Sequence, residues 1–343
     1  MSPTRRRRLG RTPLHLTQIG FGGAPLGNLF SPVAEADARA AVTAALDAGV
    51  RYFDTAPLYG HGLSERRMGE VLHGRARESF VVSTKVGRRL ERRAYDAVAG
   101  GAYVELPPFE PVFDYSYDGA LRSVEESLDR LGLDRVDILL IHDVDVRTHG
   151  DGQPERYREA TRGAYPALER LRRDGTVRAI GVGVNEWPVL LCCLDDADFD
   201  CFLLAGRYSL LEQTALDTFL PRCLARGVGI IIGGPFNSGI LATGAVPGAR
   251  YDYHPAPPAI LDRVRALERV CRAHGAPLAA AALQFPLAHP AVVSVIPGAR
   301  SAAEVATSLA LLREPIPGVL WRDLKAEGLL RADAPTPPGA ESP

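Results

Sequence analysis

At 343 residues, with 46% apolar and 24% charged side chains, the chain has an ordinary globular balance and can bury a large core. A net charge of −1 gives no bulk field to attract nucleic acid or an anionic membrane, and no apolar run reaches the ~18 residues of a membrane helix. Five cysteines, odd in number and without CxxC spacing, read as reduced thiols of a cytoplasmic protein and as no metal site.

Residues 1–8 carry a run of arginines with no apolar stretch behind it, so they read as a solvated basic tail and not as a secretory signal. Residues 9–16, with Gly10, Thr12 and Pro13, form a small hairpin. Residues 18–23 are a strand running into Gly22 and Gly23, which either let a ligand approach the backbone or turn the chain. Glu35–Asp47 is a helix ended by Gly49. A strand over 50–54 ends at Asp54. The loop with Pro57, Tyr59, Gly60 and Gly62 follows, and Ser64 caps a helix over 65–72. Residues 80–84 are a strand with Lys85 at its end. The stretch 86–117, rich in arginine, glycine, proline and aromatics, is too long for an ordinary connection and reads as an ordered lid.

A helix over 118–131 and an apolar strand over 136–141 come next, with His142 at the strand's exit and Asp143 and Asp145 solvated beyond it. Residues 143–162 read as a polar loop. Further on lie a helix over 164–173, a strand over 177–184 followed by Asn185, a strand over 202–205 followed by Tyr208, and a helix over 216–226. A strand over 228–232 opens into a glycine-rich loop, 233–239. Two helices (260–274 and 278–287), the strand Val292–Ile296, the turn Pro297-Gly298-Ala299 and a helix over 302–312 complete the pattern. Residues 331–343 read as a disordered tail. Eight strands alternating with helices fit a (β/α)8 TIM barrel, an α/β fold, as a single domain over 9–330 with an N-terminal hairpin and long loops at the C-terminal face.

Function in such a barrel sits at the strands' C-terminal ends. If strands 50–54 and 80–84 are parallel neighbours, Asp54 and Lys85 leave the sheet at one edge and Tyr59 hangs over it. A free tyrosine titrates near pH ~10, and a cation beside it lowers that value. Lys85 would be that cation, oriented by Asp54, and Tyr59 would become a usable acid or base. Only Lys85 and Lys325 are lysine; the other 38 basic residues are arginine. A chain that writes arginine almost everywhere places a compact, titratable ammonium here. The competing reading is a strand-end lysine that reaches water. His142 is either a neutral donor to a substrate oxygen or a loop histidine bonded to backbone.

RYFDTAPLYG (51–60), VVSTK (81–85), SVEESLDRLGLDRVDILLIHD (123–143) and VIPGARS (295–301) resemble the aldo-keto reductases along residues 9–312. The resemblance implies a catalytic tetrad of Asp54, Tyr59, Lys85 and His142. It also implies a nicotinamide cofactor extended across the barrel mouth. Asn185 would touch the carboxamide and Tyr208 would stack on the nicotinamide ring. The loop with Pro235, Phe236, Asn237, Gly239 and Leu241 would cover the pyrophosphate. Arg300, Glu304 and Ser308 would lie near the adenosine, with Gly22, Gly23, Asp54 and Gly298 also on the cofactor. Leu26, Leu58, His61 and Phe236 would line the substrate site.

This chain departs from the family pattern at Val184, where serine is common, at Ala205, where glutamine is common, and at Glu304. An acidic group at 304 repels a 2′-phosphate and accepts from a free 2′-hydroxyl, which favours NAD over NADP.

LLAGRYSLLEQ (203–213) and GGPFNSGIL (233–241) resemble the branch of L-fucose, D-threo-aldose and L-galactose dehydrogenases and pyridoxal 4-dehydrogenase. The implied reaction is oxidation of an aldose at C1 to its lactone. The alternatives are an NADPH-dependent aldehyde or ketone reductase, a pyridoxal dehydrogenase, and a non-catalytic redox-sensing subunit. The expected partner is a small sugar or aldehyde; oligomeric state is not legible.

Overall fold

The computed structural model describes residues 2–94 and 101–339. Its central sheet has eight parallel strands in chain order: β1 (Phe21–Gly22), β2 (Tyr52–Asp54), β3 (Val81–Val86), β4 (Ile138–His142), β5 (Ala179–Val184), β6 (Cys201–Ala205), β7 (Gly229–Gly233) and β8 (Val292–Ile296). Parallel bridges from Ile19 to Val295 and from Gly22 to Gly298 join the first strand to the last. The sheet thereby closes into the expected (β/α)8 barrel, with helices in the connections.

Strand alternation builds two cores. On β4, Ile138 and Leu140 join a small inner cluster with Tyr52, Ala179, Cys201, Leu203, Ile231 and Val293. Leu139 and Ile141 face the larger outer cluster under the helices. Leu9, Leu14 and Leu16 of the N-terminal hairpin belong to the inner set and close the barrel floor. The same alternation points Asp54, two residues after Tyr52, and His142, two after Leu140, into the barrel mouth.

Several expectations need correction. The basic run is not a solvated tail: Arg6–Arg8 pairs antiparallel with His15–Thr17, and Arg7 donates to the Val292 carbonyl at 2.6 Å. The C-terminal stretch is anchored rather than free, with Ala334 and Pro337 buried and the Arg331 amide donating to Gln213; residues 340–343 lie outside the described set. Within 86–117, Arg88–Arg92 and Phe109–Phe113 form an antiparallel hairpin; the part of the expected lid at 95–100 lies outside the described residues. The expected loop over 143–162 is largely helical, in Val146–His149 and Gln153–Glu159. It runs through a wide turn at Ala160–Ala164 into the helix Tyr165–Arg173. Small buried residues, Ala160, Gly163 and Ala164, carry that face, so its hydrophobic signal is weak. Gly62, not Ser64, caps the helix Leu63–Leu72, because the Ser64 hydroxyl is buried and donates to the Gly23 carbonyl.

Gly69 sits in the interior of that helix, where alanine would ordinarily stabilise by about 0.5–1 kcal/mol. Here a Cβ would lie 2.2 Å from the Leu131 carbonyl oxygen. Overpacking of about 1–3 kcal/mol wins, so Gly69→Ala should lower the urea midpoint at unchanged m-value.

Candidate active site

Asp54 and Ser83 are register partners on β2 and β3. The Ser83 hydroxyl donates to Asp54 Oδ1 at 2.7 Å, and Lys85 Nζ donates to Asp54 Oδ2 at 2.8 Å. Lys85 also donates to the Thr55 carbonyl at 2.9 Å. Both charged side chains are about as buried as any in the protein, 1% and 2% exposed. An ammonium carries three donors, so one N–H of Lys85 is left for the space above. The Tyr59 ring occupies that space, its centroid 4.7 Å from Nζ. The His142 ring stands edge-on to Tyr59 at 5.9 Å. The structure thus brings Asp54, Tyr59, Lys85 and His142 together.

Gly183 on β5 faces the lysine stem, and a Cβ there would lie in ordinary contact, 3.4 Å from Lys85 Cε.

The electrostatics differ from expectation in one respect. Burial, and then the Asp54 carboxylate, push the Tyr59 phenol well above its ordinary value. Asp54 balances the ammonium and faces the phenol as well, so Lys85 does not lower the phenol in the unliganded mouth. Burial, followed by the charges of Lys85 and Arg88, drives His142 well below the ordinary imidazole value. It is neutral at physiological pH.

Asp143 and Asp145 are not solvated. Asp145 is fully buried; it caps Val146–His149 through the Thr148 amide and accepts from the Asn185 amide at 3.1 Å. It therefore positions Asn185 at the end of β5. Asp143 adopts a left-handed φ of 51°, which turns its carboxylate back toward Arg88 at 2.6 Å. Tyr115 donates to the carbonyls of His142 and Asp143, pinning that turn. Gly87 lets the hairpin leave β3 over the Tyr115 ring, which a Cβ would meet at 2.3 Å. The Arg88–Asp143 pair had no sequence signal beyond a loop arginine and a strand-end aspartate.

Three loops cover the mouth. Tyr103 lies with its ring centroid 6.4 Å from that of Tyr59, and its segment is held to the β1 loop by the Phe30 amide on the Ala102 carbonyl. A short hairpin, Arg250–Tyr251 with His254–Pro255, carries Asp252 and Tyr253 at its tip. Asp252 accepts from Arg207 at 2.8 Å and from Arg147, so loops after β4, β6 and β7 are tied together.

The remaining expected residues divide. Tyr208 is wholly buried and packs on Phe285 and His289, because the turn at Gly206 (φ 68°) carries it over the rim into the outer core. It does not face the mouth. Leu26 and Leu241 are core residues with no exposed surface. His61 is buried and bonds the Phe109 carbonyl at 2.6 Å, holding the hairpin rather than a substrate. Gly22 and Gly23 are glycine because of the barrel itself: Cβ atoms there would meet the Ile296 and Asp54 carbonyl oxygens at 2.8 and 2.7 Å. Leu58, Phe236, Gly239 and Asn185 remain partly exposed around the opening, and Gly298 is exposed at the end of β8. Asn237 donates to the Gly206 carbonyl, and its buried Oδ1 has no partner. Pro235 is buried beside it. Near the start of the helix Ala302–Arg313, Glu304 accepts from the Arg300 amide at 2.9 Å and guanidinium at 3.3 Å; Ser308 is buried one turn on. An orphaned acceptor, exposed glycine backbone and an arginine held at a strand exit fit a dinucleotide laid across the rim. The described residues hold no cluster of metal-binding groups and no helix long and apolar enough to cross a membrane.

The sequence profile of the Aldo/keto reductase family matches residues 18–325. The chain belongs to the aldo/keto reductase family. It is 42% identical to pyridoxal 4-dehydrogenase of Microbacterium luteolum, over 96% of this chain and 99% of that one. It is 39% identical to D-threo-aldose 1-dehydrogenase of a Pseudomonas species, over 94% and 96% of the two chains. Among solved structures, the holo form of an aldo-keto reductase from Bacillus halodurans superposes with a TM-score of 0.72 at 26% identity, covering 96% of this chain and 98% of that one. The protein is thus an oxidoreductase of a family that uses NAD(P)(H).

The buried pair gives a test of its own. Asp54→Asn leaves the Lys85 ammonium buried without a counter-charge and should cost about 3–5 kcal/mol. Asp54→Asn/Lys85→Met removes both charges and should recover much of that loss in urea unfolding.

Proposed function

We propose that this aldo/keto reductase oxidises an aldose of the L-fucose or D-threo-aldose type, in its cyclic hemiacetal form, at C1 to the lactone. The observation that carries the reading is the buried Asp54–Lys85 pair beneath the Tyr59 ring, with neutral His142 on the ring's other flank. Asp54, Tyr59, Lys85 and His142 act as the catalytic set. A bound nicotinamide cofactor supplies the hydride acceptor. Tyr59 takes the anomeric hydroxyl proton as C1 gives up its hydride, so the C–O single bond becomes the lactone carbonyl. Lys85, with one N–H unspent, stabilises the phenolate that must form first. His142 orients the same oxygen as an uncharged donor.

NAD is the preferred acceptor in this reading. Arg300, a cation placed to meet a 2′-phosphate, is already bonded to Glu304, whose charge repels one. Asn185, Asn237, Pro235, Phe236, Gly239, Gly298, Arg300, Glu304 and Ser308 line the cofactor path, and Leu58 and Phe236 the substrate opening.

A second substrate reading is pyridoxal, whose aldehyde and neighbouring hydroxymethyl group also close to a hemiacetal. The 42% identity to a pyridoxal 4-dehydrogenase supports it, as does Tyr103 beside Tyr59, which offers a planar ring a stacking partner. A panel of aldoses and pyridoxal with each cofactor, followed at 340 nm, separates the two. No reduction of NAD with any hemiacetal would overturn both.

Tyr59→Phe should lower kcat by roughly 10²–10⁴-fold with cofactor binding intact. A variant of unimpaired rate would remove Tyr59 from the mechanism. Because the phenol is held high and the reactive form is the phenolate, kcat/KM for oxidation should rise with pH through the neutral and alkaline range. Comparison of kcat/KM for NAD and NADP tests the cofactor preference, with Glu304→Ala expected to narrow it.

A further inference from the structure

The mechanism above needs an uncharged His142, yet a carboxylate stands next to it. His142 Nε2 lies 3.5 Å from Asp143 Oδ2. Nδ1 is buried and has no partner, so Nε2 is the nitrogen with polar neighbours. A carboxylate at that range acts in two unwanted ways: it favours the imidazolium, and it competes for the Nε2 proton. The imidazolium would stand among the same groups as the Lys85 ammonium, beside a carbon that must give up a hydride.

Arg88 opposes both effects from the far side. Its guanidinium donates at 2.6 Å to Oδ2, the oxygen that faces His142. It is fixed there by stacking on Phe113 at 4.4 Å, with its Nε buried and without a partner. Asp143 is fixed as well, through its left-handed backbone and the Tyr115 hydroxyl. Both members are largely shielded, 15% and 11% exposed, so water screens the pair little.

We propose that Arg88 is a positioning residue that acts through Asp143: by engaging Oδ2 it keeps the His142 imidazole uncharged and its Nε2 free for the substrate oxygen. The inference rests on the catalytic reading of His142 given above. The groups that face His142 are Lys85 from β3, Arg88 from the hairpin, Tyr59 from the β2 loop and Asp143 from its own strand exit. Lys85 and Arg88 both disfavour a charge on it. Removing Arg88 takes away one of these and frees the one opposing group.

The test is the His142 titration in the resting protein, followed by NMR of the imidazole, together with the pH profile of kcat/KM. In Arg88→Met the His142 midpoint should rise by about 1–3 units. Below the new midpoint kcat/KM should fall by about a further tenfold per pH unit, beyond the slope that Tyr59 gives the unaltered enzyme. Arg88→Met/Asp143→Asn should restore a low midpoint and the pH profile of the unaltered enzyme. Arg88→Gln carries the same expectation if the methionine variant does not fold. An unmoved midpoint in the single variants, or a midpoint as high in the double variant as in the single one, overturns the proposal. The NMR midpoint does not depend on turnover. Full activity in Tyr59→Phe would therefore defeat the catalytic reading without touching this result, and an unmoved midpoint would defeat this inference alone.

Discussion

One ion pair organises the molecule: Lys85 on Asp54, at 2.8 Å and almost without solvent. Such a pair adds little to net stability, since desolvating both charges offsets most of their attraction. Hydrophobic side chains of the same volume would serve the fold as well. The arrangement is instead a way to hold a fixed positive charge under a phenol. Asp54 accepts from Ser83 and Lys85, and Lys85 donates also to the Thr55 carbonyl, which leaves one ammonium N–H beneath the Tyr59 ring.

The barrel supplies this geometry from simple periodicity. Inward residues two apart on β2, β3 and β4 lead up to the charged and polar groups of the mouth: Tyr52 to Asp54, Ser83 to Lys85, Leu140 to His142. The lower part of the barrel is packed by the inner cluster and closed by the N-terminal hairpin, so the polar groups at the top stand on an apolar floor. The loops then adjust the charge of each group, with burial raising the phenol and lowering the imidazole.

Residues whose place follows from strand periodicity were legible in the sequence. Asp54, Lys85 and His142 end apolar strands, and parallel strands bring their ends to one face; Tyr59 lies in the loop that starts there. What was not legible depends on turns. Tyr208 also follows a strand, but the left-handed Gly206 rotates the chain outward and buries the ring behind the barrel. Asp143 looks like a loop carboxylate until its own left-handed turn brings it back to Arg88. The helical run before Tyr165 was hidden because alanines and a glycine, not leucines, form its buried face. The family resemblance implies Leu26 and His61 at the substrate, and packing assigns them to the core and to the hairpin.

Proton exchange at Tyr59 under the control of the anchored ammonium is the central claim. It is tested most directly by a crystal structure of the protein with cofactor and an unreactive lactone bound. In that complex the third Lys85 N–H should donate to Tyr59 Oη, and Oη should lie within hydrogen-bond distance, roughly 2.6–3.2 Å, of the lactone oxygen on C1. A phenol oxygen turned away from both the amine and the lactone, with the cofactor in place, would contradict it.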